Sequence, residues 1–244
     1  MKNIKLTIEY DGTNYHGWQI QPNARTVEQT VKEAIEKLTK EEINLVGASR
    51  TDEGVHAYGQ VANFKTTSNI PQDKFSYAIN SFLPDDIIIV KSELVDESFH
   101  SRYDAKGKKY RYIIYNRDIK SAIWKDRAYH VKKEIDVEIM RKAAKHLVGK
   151  NDFSSFKSSG GSAKTSVRTI YDITIDKKDD IITIEVSGDG FLYNMVRIIA
   201  GTLVEFGVEK RNPEKMLEIL NAKDRKKAGK TAPSCGLYLV HIYY

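Results

Sequence analysis

The segment Gly47-Ala48-Ser49-Arg50-Thr51-Asp52-Glu53-Gly54-Val55-His56-Ala57 puts a carboxylate, an arginine, a histidine and a flexible glycine into one short stretch between two apolar runs. Loops between strands are where a scaffold usually presents reactive groups. Asp52 has small neighbours, and Gly54 allows the backbone to approach a ligand closely. An ionised aspartate on a fixed loop can attack an electrophilic carbon, stabilise a developing cation or remove a proton. A neighbouring cation favours its charged form. Taken alone, an Asp-x-Gly is more often an ordinary turn capped by its own side chain. Glu53 adds a second carboxylate, and Gly54 lets the loop turn so that this one points away.

Other chemistries lack their residues. No GxxxxGK[ST] loop is present, and the Gly/Ser-rich stretch at 158–162 lacks the Lys-Ser or Lys-Thr that would follow, so it reads as a mobile loop. Gly188-Asp189-Gly190 lacks the third glycine of a dinucleotide fingerprint. The six histidines form no HExxH pair, there is no GxSxG elbow, and the single cysteine, Cys235, excludes an internal disulfide or a Cys-based zinc cluster. What remains is acid–base or carboxylate chemistry on a substrate that brings its own reactivity. No metal or cofactor is expected.

The elements that would position such a loop follow from periodicity. Leu6, Ile8 and Tyr10 alternate over 4–10 as a strand. Thr26 and Gln29 read as a capping box opening a helix whose buried stripe is Val27, Val31, Ala34, Ile35 and Leu38. Strands are expected at 43–49 and 60–65, a helix through Phe75, Ala78, Ile79 and Phe82, and a strand buried on both faces at 87–90. The second half repeats this order: a strand at 109–115, a helix through Met140, Ala143 and Leu147, and a hairpin turning at Asp179-Asp180. A long helix with Phe191, Met195, Ile198, Ile199 and Phe206 on one face comes next, then a short helix at 213–220 and a closing strand around Leu237 and Leu239. Each half is the split βαβ order of ferredoxin-like domains. The expected fold is therefore α+β: two ferredoxin-like halves, 1–104 and 105–244, joined into a continuous, mainly antiparallel sheet. Helices would lie on one side, with a cleft between the halves.

Hydrophobic residues at 41% and charged residues at 30% suit a folded domain. The first residues read as a strand rather than a secretory signal, and no apolar run is long enough for a membrane span, so a cytoplasmic protein is expected. The formal charge of +6 permits a polyanionic partner. More telling are two clusters. Lys106, Lys108, Lys109 and Arg111 interleave with tyrosines, and Lys223, Arg225, Lys226, Lys227 and Lys230 lie close together. Tyrosine faces beside cations suit stacked bases and phosphates, although most tyrosines in any protein pack internally.

The longer string Arg50-Thr51-Asp52-x-Gly54-Val55-His56 closely resembles the active-site motif of the tRNA pseudouridine synthase A family. Tyr10-Asp11-Gly12, Tyr15, Gly17-Trp18-Gln19 and Gln21 resemble the same family, as do Phe99-His100-Ser101-Arg102 and Tyr110-Arg111-Tyr112. So do Asn151-Asp152-Phe153 with Phe156, Arg168-Thr169-Ile170, the run from Phe191 to Arg197, and Gly236-Leu237-Tyr238-Leu239, all in order from the first strand to the last. The resemblance implies a cofactor-free homodimer that isomerises uridines at about positions 38 to 40 of the tRNA anticodon arm, extruding the base from its stack. It implies Asp52 as the catalytic carboxylate, Arg197 as its cationic partner and Tyr110 as the active-site tyrosine, which could stack on the uracil and relay the C5 proton. Arg50 would hold RNA or help force the base out, Arg168 and the two basic clusters are the expected phosphate contacts, and Leu237 would line the uracil pocket. Asp52 could attack C1′, add to C6 or remove the C2′ proton, and the sequence leaves all three open.

Three other readings compete. A non-catalytic RNA-binding module shares the element order but gives the Arg50–His56 string no role. An inactive paralogue would have lost the aspartate. A small-molecule enzyme of this fold would not need the second basic cluster.

Overall fold

The computed structural model describes residues 1–161 and 163–244, so the stretch at 158–162 ends outside the described residues. The elements are β1 (Lys2–Tyr10), α1 (Val27–Thr39), β2 (Val46–Gly47), β3 (His56–Thr66), α2 (Phe75–Asn80) and β4 (Ile87–Val95), then β5 (Gly107–Asn116), β6 (Tyr129–Val131), α3 (Val137–Lys145), β7 (Gly149–Asp152), β8 (Val167–Lys178), β9 (Ile181–Gly188), α4 (Met195–Glu209), α5 (Lys215–Ala222) and β10 (Leu237–Tyr243). The chain is α+β with mainly antiparallel strands, as expected. It divides into two compact units, Met1–Lys106 with Tyr238–Tyr244, and Gly107–Leu237.

In the first unit β1 lies between β4 and β3, antiparallel to both. The short β2 pairs antiparallel with the far end of β3, while Tyr238 and Leu239 of β10 pair parallel with its start. This is the split βαβ arrangement. Ile4, Leu6 and Ile8 of β1 are buried, as are Val27, Val31, Ala34 and Ile35 of α1 and Phe75 and Ile79 of α2. Burying one such aliphatic or aromatic side chain contributes about 1.5–3 kcal/mol.

Three local expectations fail here. The strand expected at 43–49 shrinks to the two residues of β2. The run at 87–90 is buried on one face only: Ile87 and Ile89 are buried, whereas Ile88 is 41% and Val90 55% exposed. Among the described residues β4 has one strand neighbour, β1, and α2 covers one of its faces. The capping box is also absent. The Thr26 side chain caps nothing, its Oγ1 is buried without a hydrogen-bond partner, and Gln29 bonds Glu33 instead. The carbonyls of Gly17 and Trp18 accept from the amides of Val27 and Glu28, at 3.2 and 2.9 Å, so the preceding loop already satisfies the helix start.

In the second unit β5, β9, β8 and β7 pair antiparallel in that order, and β6 pairs parallel with β5. The β8–β9 hairpin turns at Asp179, with φ +52°, as the sequence suggested. Asp136 caps α3 by accepting from the Ile139 amide, which the sequence pattern had not suggested. Met140, Ala143, Ala144 and Leu147 are buried with Ile198, Ile199, Leu203 and Phe206 of α4. Phe191, expected on the long helix, lies in the loop before it, because Asn194 takes a left-handed conformation (φ +60°) and α4 begins at Met195. The short helix runs two residues later than expected, and β6 and β7 were not anticipated. Among the described residues no helix is long and apolar enough to cross a membrane.

Candidate active site

Asp52 stands in a turn between β2 and β3, closed by the Val55 amide donating to the Asp52 carbonyl at 3.2 Å, with Gly54 at φ +72°. The positive φ is why glycine suits this position. Asp52 is half-buried, Arg50 and Glu53 are exposed, and Thr51 is buried with its Oγ1 2.7 Å from Tyr10 Oη.

The turn is gripped through its backbone by the 11–18 loop. The Trp18 amide donates to the Thr51 carbonyl at 3.0 Å, and the Gly54 amide donates to the Tyr15 carbonyl at 3.3 Å. Two glycines make this approach possible. A Cβ on Gly12 would stand 2.0 Å from Val55 O, and one on Gly17 (φ +84°) would stand 2.4 Å from Thr51 O. The loop is itself anchored. Tyr15 Oη donates to Asp86 Oδ1 at 2.5 Å, and the Arg25 guanidinium lies 4.7 Å from the Tyr15 ring centre. Burial, then the bond to Asp86, pushes the Tyr15 phenol well above its ordinary range, so it stays a donor.

In the second unit the loop before α4 meets two of the candidate residues, Tyr110 through Phe191 and Arg197 through Asn194. Tyr110 on β5 is buried, and its ring meets Phe191 edge-on at 5.2 Å. Arg168 opens β8 and folds onto its own segment, donating to the carbonyls of Val167 and Thr165 at 2.6 and 3.1 Å. Its Nε would lie 3.7 Å from a Cβ on Gly190. Arg197, in the first turn of α4, donates through Nε to the Ala232 carbonyl and through a terminal nitrogen to Asn194 Oδ1, both at 2.8 Å. Leu237 is buried at the start of β10. Asn194 stood in the Phe191–Arg197 motif without a role of its own; here it holds the Arg197 guanidinium.

The basic clusters are partly neutralised. Glu185 pairs with Lys109 at 2.5 Å and with Arg111 at 2.7 Å. Burial raises the Glu185 carboxyl, but hydrogen bonds from Lys109 and Arg111 outweigh it and hold the group below its ordinary range. Lys223 pairs with Asp152, and Arg225 donates to the Ala228 and Gly229 carbonyls. Lys226 and Lys227 are exposed. Among the described residues no group of three His, Cys, Asp or Glu side chains could hold a metal ion.

The family model described as tRNA pseudouridine synthase matches residues 6–104 and 143–244. The chain belongs to this family. Among its relatives, a chain of Acetivibrio thermocellus named tRNA pseudouridine synthase A is 58% identical over 244 residues, covering all of both chains. One of Ruminiclostridium cellulolyticum with the same name is 58% identical over 245 residues, and one of Thermoanaerobacter sp. is 53% identical over 244, again covering all of both chains. Both family segments hold candidate residues: Arg50 and Asp52 in the first, Arg168, Arg197 and Leu237 in the second. Tyr110 falls in the stretch between them.

Proposed function

We propose that this chain isomerises uridine to pseudouridine in the anticodon arm of tRNA, with Asp52 as the catalytic carboxylate. Membership of the synthase family over the full length of its relatives carries the reading, and the backbone-gripped turn supports Asp52 as its centre. The reaction breaks the N1–C1′ bond, turns the uracil and joins C5 to C1′. N1 gains a proton and C5 loses one, so no oxidant, reductant or second substrate is consumed. A fixed carboxylate suits each route, whether it attacks C1′, adds to C6 or takes the C2′ proton. Holding the turn in advance is what lets a reacting group act without reorganising.

Arg197 is assigned as the cation that favours ionised Asp52, Tyr110 as the ring that stacks on the extruded uracil, and Leu237 as an apolar wall of the uracil site. Arg50 and Arg168 are assigned to RNA phosphates. Uridines at about positions 38 to 40 are the targets that the family resemblance implies, reached by base flipping. The working form is a homodimer, on the same grounds.

The test is tritium release from tRNA carrying C5-tritiated uridine. Wild type releases tritium, and Asp52→Asn loses at least about 10³-fold in rate while tRNA affinity stays within about threefold, because phosphate contacts supply most of the binding. A well-folded wild type that releases none would leave a non-catalytic RNA-binding module. Turnover surviving in Asp52→Asn would remove the aspartate from its role.

A further inference from the structure

His56 follows the Asp52 turn directly and is 3% exposed. Its Nδ1 lies 3.1 Å from the Gly12 amide nitrogen, which donates to it, and 3.1 Å from Asp11 Oδ1. The direction of a backbone N–H is fixed by the chain, so the Gly12 contact presents a proton to Nδ1 and calls for a lone pair there, with the Asp11 oxygen held at the same distance by its own bonds to Thr13. Asp11 Oδ1 accepts from both the amide and the hydroxyl of Thr13, at 3.0 and 2.5 Å. The imidazole plane is set by Tyr238, which pairs with His56 across β3 and β10 and stacks on it at 4.6 Å and 23°. Gly12 is the residue on which a Cβ would stand 2.0 Å from Val55 O, at the end of the Asp52 turn. One ring nitrogen therefore fastens the start of the gripping loop to the strand that leaves the turn.

We propose that His56 is a positioning residue for Asp52, acting through an Nδ1 lone pair that pins the Gly12 amide against the catalytic turn. Its ring takes no proton from the substrate. This rests on Asp52 being the catalytic carboxylate. Losing the pin lets the 11–18 loop and the turn shift together. A displacement of about 1 Å at a reacting group costs about 100-fold in rate. Substrate binding, which depends on phosphate contacts elsewhere, stays as it was.

Three substitutions separate this from a packing role. His56→Phe keeps a ring against Tyr238 but removes the acceptor. His56→Asn keeps an acceptor oxygen at the position of Nδ1. His56→Gln keeps the polarity but moves the acceptor one bond further out. Two measurements are made on the intact protein: hydrogen exchange of the Gly12 amide, and kcat and KM for tritium release from tRNA. His56→Phe and His56→Gln should lose Gly12 protection and about 100-fold in kcat, with KM within about twofold. His56→Asn should recover both properties to within about fivefold of wild type. If Phe does not fold, the Gln–Asn pair carries the same contrast. Gly12 protection unchanged in Phe or Gln, or Asn as damaged as Phe, overturns the proposal. The exchange measurement does not depend on turnover, so an active Asp52→Asn would remove the aspartate from its role, and an inactive wild type would remove the enzyme reading, while either leaves the pin itself decided.

Discussion

In the first unit the turn carrying Asp52 is gripped through its backbone, with Thr51 O and Gly54 N bonded to the 11–18 loop. In the second unit Arg197 is held through its guanidinium, by Ala232 O and Asn194 Oδ1. Backbone packing supports that arrangement too: Gly201, one turn along α4, lets Lys230 O come within 1.9 Å of where a Cβ would be. The difference concerns what is fixed. A turn held by its peptide groups keeps its shape whatever side chain it carries, but it leaves no room for added atoms nearby. A guanidinium held by two acceptors is aimed directly, and loses its aim when one acceptor goes.

The sharpest break in this comparison comes from glycines. Gly17→Ala forces a Cβ to 2.4 Å from Thr51 O at φ +84°, and should lower kcat by about 100-fold along with the melting temperature. Gly190→Ala, whose Cβ meets only Arg168 atoms at 3.7 and 3.8 Å, should change stability by less than about 0.5 kcal/mol. Equal effects in paired tritium-release and thermal-unfolding assays would dissolve the distinction. Next in size, Asn194→Gly keeps the left-handed φ of +60° but removes the Oδ1 that holds Arg197. It should cost about tenfold in kcat, in keeping with a hydrogen bond to a charged group. Asn194→Ala should add a backbone penalty of roughly 1–2 kcal/mol in unfolding free energy. No kcat change in the glycine variant would mean that Asn194 does not aim the arginine.

The smallest effect concerns Glu185. Glu185→Gln removes the anion paired with Lys109 and Arg111. The slope of log affinity for tRNA against log salt should steepen by up to about one; an unchanged slope would keep those cations out of RNA contact. The Glu185 carboxyl is held below its ordinary range. Its stabilisation is therefore present above the unfolded glutamate value of about 4.3 and is lost as pH falls through the lower folded value. The stability gap between wild type and Glu185→Gln should close over that acid range in denaturant titrations.

Much of this was legible because it is local. The helix stripes of α1 and α3, the Asp179 hairpin and the Asp52 loop each announce themselves within a dozen residues. The losses are tertiary. Thr26 and Gln29 carry a capping signature, but the carbonyls of Gly17 and Trp18 reach the helix first. Ile88 and Val90 look like core residues until β4 proves to have one open face. Lys109 and Arg111 look like cations without an anion until Glu185, 74 residues after Arg111, is folded beside them. The grip on Asp52 was half visible: Gly12, Gly17 and Trp18 stood out as a motif, but their partner could not be read from spacing.

That grip also bears on how the chain acquires its activity. Gly12 and His56 are 44 residues apart in sequence, and Tyr10 and Thr51 are 41 apart. The 11–18 loop emerges from the ribosome well before the segment that gives it shape. Contacts of such separation form late, after the loop-closure entropy has been met by strand pairing. The reactive turn and its clamp should therefore mature in one step with β1–β3 pairing, so a nascent or partly folded chain carries Asp52 without a fixed place to use it.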